Sequence, residues 1–155
     1  PYATADKRAG NFGTANSDGT AATNVATLAA MTAGLTAMQN EDMQGLVDAR
    51  DEVLKNIVIV YSQASVRYAS KMTDDLADGD TSDYDKHQAE GHAFYRVIEA
   101  YVAEYNTSNS DMIVAMFDLT NDGDASADYE ADIRAWLQPA WDHYGITAED
   151  IGTLQ

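Results

Sequence analysis

A helical repeat of apolar residues over one long segment limits the folds open to this chain more than any other feature. Between residues 43 and 77, apolar side chains return every three or four positions, at Leu46, Val53, Leu54, Ile57, Tyr61, Tyr68 and Met72. This spacing places them along one face of an α-helix. The stretch NIVIVY within it favours a strand by propensity, but both flanks are strongly helical, so we predict one continuous helix.

The same periodicity predicts further helices at about 24–39, 83–106 and 127–144, and a short one at about 109–117. In the first of these, the recurring residues are Val25, Leu28, Thr32, Leu35 and Met38. Pro139 lies inside the last long segment and should kink or shorten that helix.

Polar connections separate these segments. ADGDTSD at 77–83 predicts a turn in which Asp83 caps the next helix, and NTSNSD and DLTNDGDASAD predict later loops. Residues 1–23 are rich in Gly, Asn, Thr and Ala without apolar periodicity, so we expect an irregular N-terminal segment. The predicted fold is all-α, an antiparallel bundle of about four main helices forming a single domain over 1–155.

The charge balance excludes several classes of partner. Nine Lys and Arg face 26 Asp and Glu, for a net charge of −17, and such a surface repels nucleic acid and anionic membranes. No apolar run is long enough to span a bilayer, so we expect no membrane insertion.

The chain has no cysteine. It begins at Pro1 without Met, and this suggests a processed or excised fragment.

The segment DKHQAEGHAFYRVIEAYVAEY at 85–105 carries the first candidate site. Its apolar stripe, extended backwards from Phe94 in steps of three and four, passes through Glu90 and His87. A carboxylate and an imidazole three residues apart share one side of a helix, as they do in metal-binding bundles. His92 falls on another flank, so we do not expect the two histidines to share one site.

Ion pairing is the alternative role for these two polar side chains. If the helices at 43–77 and 83–106 form a hairpin about residue 80, His87 faces Asp74 or Asp75 and Glu90 faces Lys71. These pairs would satisfy both groups without a ligand. The sequence leaves both interpretations open.

The candidate metal ligands come from both arms of that hairpin: His87, Glu90, Tyr61, Tyr68 and Asp75. Carboxylate oxygens suit a hard cation, and imidazole with tyrosine favours iron. Tyr61 and Tyr68 lie seven residues apart on the core face, so core packing is the alternative for both.

Basic residues of the same helices predict an opposite kind of ligand. Arg67, Lys71 and Arg96 could anchor a small anion or organic acid, such as bicarbonate or a ferric chelate.

The acidic loop after residue 117 predicts weak calcium binding. Residues at loop positions one, three, five, six, seven and nine match an EF-hand, namely Asp118, Thr120, Asp122, Gly123, Asp124 and Ser126. Position twelve is Tyr129, and the expected carboxylate comes one residue late as Glu130. The alternatives are a solvated acidic turn or a structural and interaction module stabilised by calcium.

Catalytic machinery is not visible in the sequence. There is no cysteine, no Gly-x-Ser-x-Gly turn and no Gly-rich phosphate loop. We therefore expect a binding protein and not an enzyme.

Four segments in order, PYATADKRAGNFGT, IVIVYSQASVRYASKM, HQAEGHAFYRVIE and YGITAEDIGTL, resemble one known family. It is the repeat domain of the algal Fe-assimilating, low-iron-inducible periplasmic proteins, which include a high-CO2-inducible secreted protein. The resemblance implies a secreted, periplasmic or cell-surface protein that assists iron uptake. Because members often carry several copies of the domain, it also implies tandem domains or partners at the cell surface.

Overall fold

Helices make up nearly all of the regular structure in the computed structural model, which describes residues 2–79 and 81–155. In chain order they are α1 (Tyr2–Phe12), α2 (Ala22–Gln39), α3 (Met43–Asp78), α4 (Thr81–Tyr95), α5 (Glu99–Tyr105), α6 (Thr107–Met116), α7 (Tyr129–His143) and α8 (Ala148–Ile151). The described residues form no strand, only an isolated bridge between Ala15 and Ala21. With 76% of the chain helical, the predicted all-α helical bundle is confirmed.

The chain divides into two compact units. The first unit comprises Pro1–Val60 and Tyr144–Gln155, and the second comprises Tyr61–His143. α3 is continuous through Val60, so it contributes its first part to one unit and its second part to the other.

α1 corrects the prediction of an irregular segment over 1–23, since residues 2–12 are helical. Its buried face consists of Ala5, Arg8, Ala9 and Phe12, which do follow helical spacing. Two alanines and an arginine give no recognisable apolar stripe, and this is why the pattern was missed. The side chain of Asp6 ties α1 to α2, because Oδ1 accepts hydrogen bonds from Ala21 N at 2.8 Å and Asn24 Nδ2 at 2.7 Å.

α2 is a helix as predicted, but its apolar stripe does not face the core of the first unit. Val25, Leu28, Leu35 and Met38 are more than half exposed, whereas Ala30, Gly34 and Ala37 are buried. Small residues allow α2 to approach α3 closely. A Cβ on Gly34 would lie 3.1 Å from Cβ of Ala49.

In the second unit α3 and α4 form the antiparallel hairpin that the sequence predicted. Residues near the turn meet each other, as Asp75 meets His87, and residues farther from it also meet, as Tyr61 meets Phe94. α4 begins at Thr81, so Asp83 lies in its first turn instead of capping it.

The helix predicted over 83–106 is in fact two helices. After Tyr95 the hydrogen bonds tighten, with Val97 N donating to Phe94 O and Ile98 N to Tyr95 O, and α5 starts at Glu99. Bonds to the third preceding residue are typical of a 3₁₀ turn, which ends the regular α-helical ladder. α7 continues past Pro139 to His143, so the proline does not end that helix.

No helix within the described residues is both long and apolar enough to cross a membrane.

Candidate functional site

His87 and Asp75 form the centre of the candidate site in the second unit. The imidazole Nδ1 donates to Oδ2 of Asp75 at 2.6 Å, and only 8% and 13% of the two side chains is exposed. Because a carboxylate accepts hydrogen bonds, Nδ1 carries a proton here, and a ligand can reach the imidazole only through Nε2. Among the residues that the structure describes, none forms a hydrogen bond with Nε2 of His87.

Aromatic rings build the wall beside this pair. The Tyr68 ring lies 5.9 Å from the His87 ring and stacks on Phe94 at 5.5 Å with an interplanar angle of 11°. Tyr61 meets Phe94 as well, at 6.1 Å, but no ring contact joins it to His87. The structure therefore brings Tyr68 to the candidate site, and it places Tyr61 in the aromatic packing behind it.

Lys71 shares the α3 face that meets His87. It lies three residues after Tyr68 and four before Asp75, both of which contact the imidazole, so the helix repeat puts Lys71 between them. Arg67 stands one turn earlier, with its guanidinium carbon 5.5 Å from the centre of the Tyr68 ring. We call Arg67, Tyr68, Lys71, Asp75 and His87 the α3–α4 cluster.

The two cations of the cluster differ from most others in the chain. Both are half-buried, and neither forms an ion pair with a described residue. In contrast, each of these cations lies against a carboxylate: Arg50, Lys55, Lys86, Arg96 and Arg134.

Glu90 lacks the ion pair that the sequence offered as one alternative, and Arg96 is paired with a carboxylate. Glu90 is half-buried, and it makes no ion pair with Lys71 although both are described. Arg96 is exposed and forms an ion pair with Glu99, three residues later in the sequence. Arg96 is therefore paired at the surface, whereas Lys71 forms no ion pair with a described residue.

Most of the buried stripe of α4 lies one residue away from the predicted one, although His87 belongs to both. Tyr84, His87, Gln88, Gly91 and Tyr95 face the interior. Only the two tyrosines in this set are large and apolar, so the periodicity of apolar residues could not locate it.

Gln88 is a buried residue that the sequence gave no reason to select. Its Nε2 lies within hydrogen-bond distance of the carbonyl oxygens of Met116, Asp118 and Asn121, at 3.2, 2.8 and 3.1 Å. Carbonyls at a helix C-terminus have no partner within their own helix, and a side-chain donor can satisfy them. Gln88 thus fixes the end of α6 and the start of the acidic loop.

In the acidic loop between α6 and α7, two carboxylates accept hydrogen bonds from the loop itself. Asp118 Oδ1 accepts from the backbone N and the hydroxyl of Thr120, and Asp124 Oδ1 accepts in the same way from Ser126. These backbone and hydroxyl hydrogen bonds hold the pKa of Asp118 and of Asp124 below the usual value for aspartate. Each carboxylate serves a separate turn of the loop.

The position that would carry the twelfth ligand of an EF-hand instead supports the loop from within. The hydroxyl of Tyr129 accepts a hydrogen bond from Asp124 N at 2.7 Å. Thr120 uses its hydroxyl on Asp118, and Asp122 is exposed. The geometry of these side chains does not converge on one cation.

The donor set limits how a metal could be held anywhere in the described part of the chain. No three His, Asp or Glu side chains come together there as a metal site. His87 Nε2 supplies one donor, while Asp75 binds the opposite ring nitrogen and orients the imidazole. A metal bound here would need further ligands from outside the protein.

Comparisons with protein-family models, with curated proteins and with solved structures find no match to this chain. The family resemblance noted in the sequence therefore stays an expectation.

Proposed function

We propose that this chain is an extracytoplasmic binding protein that captures iron in the form of an anionic chelate at the α3–α4 cluster. The observation that carries the proposal is the pair of half-buried cations Arg67 and Lys71, beside an imidazole that a carboxylate orients. The role is binding and delivery for uptake, not catalysis.

The positive charge of Lys71 favours an anionic chelate over a bare metal cation. An ammonium group on the same face as His87 and Asp75 opposes the approach of a hydrated Fe²⁺ or Fe³⁺ ion. It attracts the carboxylates of a bound chelator such as citrate. The chelator also supplies the oxygen ligands that the protein lacks at this place.

Because the chain is strongly acidic, Arg67 and Lys71 provide one of few places where an anionic ligand can bind. With a net charge of −17, most of the surface repels an anion, so an anion must bind where cations lack carboxylate partners. The imidazole of His87 is suited to iron in the chelate, and the Tyr68 ring lies 5.9 Å from it. A bare organic acid would use only the cationic half of the cluster and should bind more weakly.

Equilibrium dialysis against ferric citrate, ferrous ion and citrate alone tests the proposal with three probes. We expect ferric citrate to bind most tightly, and Lys71→Gln to weaken it by about tenfold or more, as for a hydrogen bond to a charged group. His87→Gln should weaken ferric citrate more than it weakens citrate.

Two matched variants control for charge and for histidine content. Lys7→Gln removes a lysine from the first unit, and His92→Gln removes the neighbouring histidine of α4. Both should bind like the parent chain. Failure of ferric citrate to bind, or equal losses for Lys71→Gln and Lys7→Gln, would refute the assignment.

A further inference from the structure

The proposed function does not use an exposed apolar stripe on α2 in the first unit. Its residues are 52–59% exposed and follow one side of the helix, namely Val25, Leu28, Met31, Leu35 and Met38. α2 has 18 residues, so the stripe extends along a helix about 27 Å long.

α2 is also uncharged throughout. None of the residues from Ala22 to Gln39 is Asp, Glu, Lys or Arg, although the whole chain carries a net charge of −17. Contiguous apolar patches larger than roughly a few hundred Å² are rare on monomers and mark interaction sites. The exposed apolar stripe on an uncharged helix therefore indicates a binding surface.

A groove runs beside the stripe between α2 and the first part of α3. Its volume is about 420 Å³, and its walls include Met31, Leu35 and Met38 from α2 with Val53 and Leu54 from α3. The floor is narrow because Ala30, Gly34 and Ala49 are small and buried. Large side chains above a floor of small ones make a channel that fits the ridge of another helix.

Methionines give the groove adaptable walls. Met31 and Met38 are 58% and 59% exposed, and Met43, at the start of α3, is 70% exposed. Unbranched thioether side chains repack around different apolar surfaces and are frequent in grooves that accept helices.

Acidic side chains are frequent at the start of α3, the helix that supplies one wall of this groove. All are exposed: Glu41, Asp42, Asp48, Asp51 and Glu52. The one basic lining residue, Arg50, is paired with Asp51 at 2.5 Å. With a net charge of −17 on the chain and the one basic lining residue already paired, the surroundings of the groove favour a basic partner.

We propose that this groove docks a basic amphipathic helix, with large apolar residues at helical spacing on one face and Lys or Arg on its flanks. Apolar anchors in a groove and charges at its rim are the recurring features of helix-in-groove recognition. A second copy of the chain would offer the same apolar stripe, but it would bring a further charge of −17. Charge complementarity thus selects the basic helix over self-association. The site lies in the first unit and is independent of the α3–α4 cluster.

Fluorescence anisotropy with a labelled synthetic peptide tests this proposal. The peptide matches α2 in length and carries leucine at every third or fourth position with lysine between them. A second peptide of the same composition has the leucines scrambled, so it is equally basic but not amphipathic. We expect tight binding of the first peptide and weak binding of the scrambled one.

Leu35→Glu separates docking in the groove from charge attraction alone. The substitution makes the chain more acidic, so pure electrostatics predicts tighter binding, whereas loss of an apolar wall predicts about tenfold weaker binding or more. Leu119→Glu is the matched control, because Leu119 is 61% exposed and belongs to the second unit. It adds the same charge and should leave binding unweakened. Met38→Glu gives a second variant in the groove should Leu35→Glu fail to fold.

Four outcomes would overturn the proposal. The first is equal binding of the amphipathic and scrambled peptides, and the second is parent-like binding by both groove variants. The third comes from sedimentation equilibrium: a dimer of the parent chain that Leu35→Glu dissociates would show a second copy in the groove instead. Flotation of the chain with phosphatidylcholine vesicles, without binding of the peptide, would assign the stripe to a lipid surface and equally refute it.

Discussion

The ring of Phe117 occupies the space that a Cβ atom on Gly91 would fill, with Cε1 as the nearest atom. Gly91 is buried in the middle of α4, and Phe117, directly after α6, is fully buried. Because aromatic rings in dense cores have little freedom to move, only glycine allows this approach of α4 to Phe117.

We expect Gly91→Ala to destabilise the chain. Overpacking a dense core costs about 1–3 kcal/mol, which exceeds the gain of up to ~1 kcal/mol in helix propensity. The free energy of unfolding in urea measures the net effect. Gly10→Ala is the matched control, because Gly10 is an exposed α1 residue whose added Cβ would meet nothing within 4 Å. That variant should be neutral or stabilising. An equal gain for Gly91→Ala would contradict the close approach.

Gly91 also illustrates what the sequence could and could not predict. Apolar periodicity located most helices to within a few residues, since that signal depends on local spacing alone. It did not identify which face of a helix is buried. On α2 the apolar residues are outside, and on α4 the buried set includes Gly91 and Gln88. Such positions are selected by the neighbouring element, which a single sequence does not specify.

The sequence also predicted only part of the candidate site. The position of the turn near residue 80 was enough to bring His87 opposite Asp75, because an antiparallel hairpin fixes which residues face each other. The break of the helix after Tyr95, beside which Arg96 pairs with Glu99, was not predicted. Apolar periodicity does not report where a helical hydrogen-bond ladder is interrupted.

Ser62 provides a second test of packing in the second unit. Trp141 of α7 donates its indole N–H to the hydroxyl of Ser62 on α3 at 2.9 Å, and both residues are buried. Ser62→Ala leaves that N–H without an acceptor, which should cost about 1–3 kcal/mol. Urea unfolding followed by tryptophan fluorescence gives the value.

Ser65→Ala is the control for Ser62→Ala. Ser65 is equally buried, but its hydroxyl donates to Tyr61 O within its own helix, and that carbonyl belongs to the helical ladder. Its removal should be close to neutral, because alanine is also the better helix former. Similar losses for the two serine variants would argue against a special role of the Trp141 bond.

Alkaline pH should destabilise the second unit through Tyr95. Burial raises the pKa of Tyr95 to about 12, and its hydroxyl donates to Ser110 Oγ at 2.8 Å. An unfolded tyrosine ionises near about pH 10. Since the folded pKa is the higher one, the contribution of the neutral phenol is fully present below that pH and is lost as pH rises towards about 12.

Unfolding free energies measured across this alkaline range check the sign. Tyr95→Phe should be less stable at neutral pH, because it leaves Ser110 without the phenol, but it should show a weaker decline at high pH. Burial also raises the pKa of Tyr84, so Tyr95→Phe removes only part of the decline. Tyr2→Phe, which alters a half-exposed tyrosine, should leave the alkaline slope unchanged. A decline that is the same in the parent and in Tyr95→Phe would contradict the assignment.

The contact between His87 and Asp75 should stabilise the chain even without a ligand. A hydrogen bond to a charged and largely buried carboxylate contributes about 1.5–3 kcal/mol. A double-mutant cycle with His87→Gln and Asp75→Asn should therefore give a coupling energy of about 1–2 kcal/mol at neutral pH. The exposed pair of Lys86 and Asp83, 3.7 Å apart, is the control and should give a coupling near zero.

A melting experiment with saturating ferric citrate separates the structural role of His87 from its role in binding. The chelate should raise the melting temperature of the parent more than that of His87→Gln. A coupling as small as that of the surface pair would show that His87 is held by its packing against Tyr68 and not by Asp75.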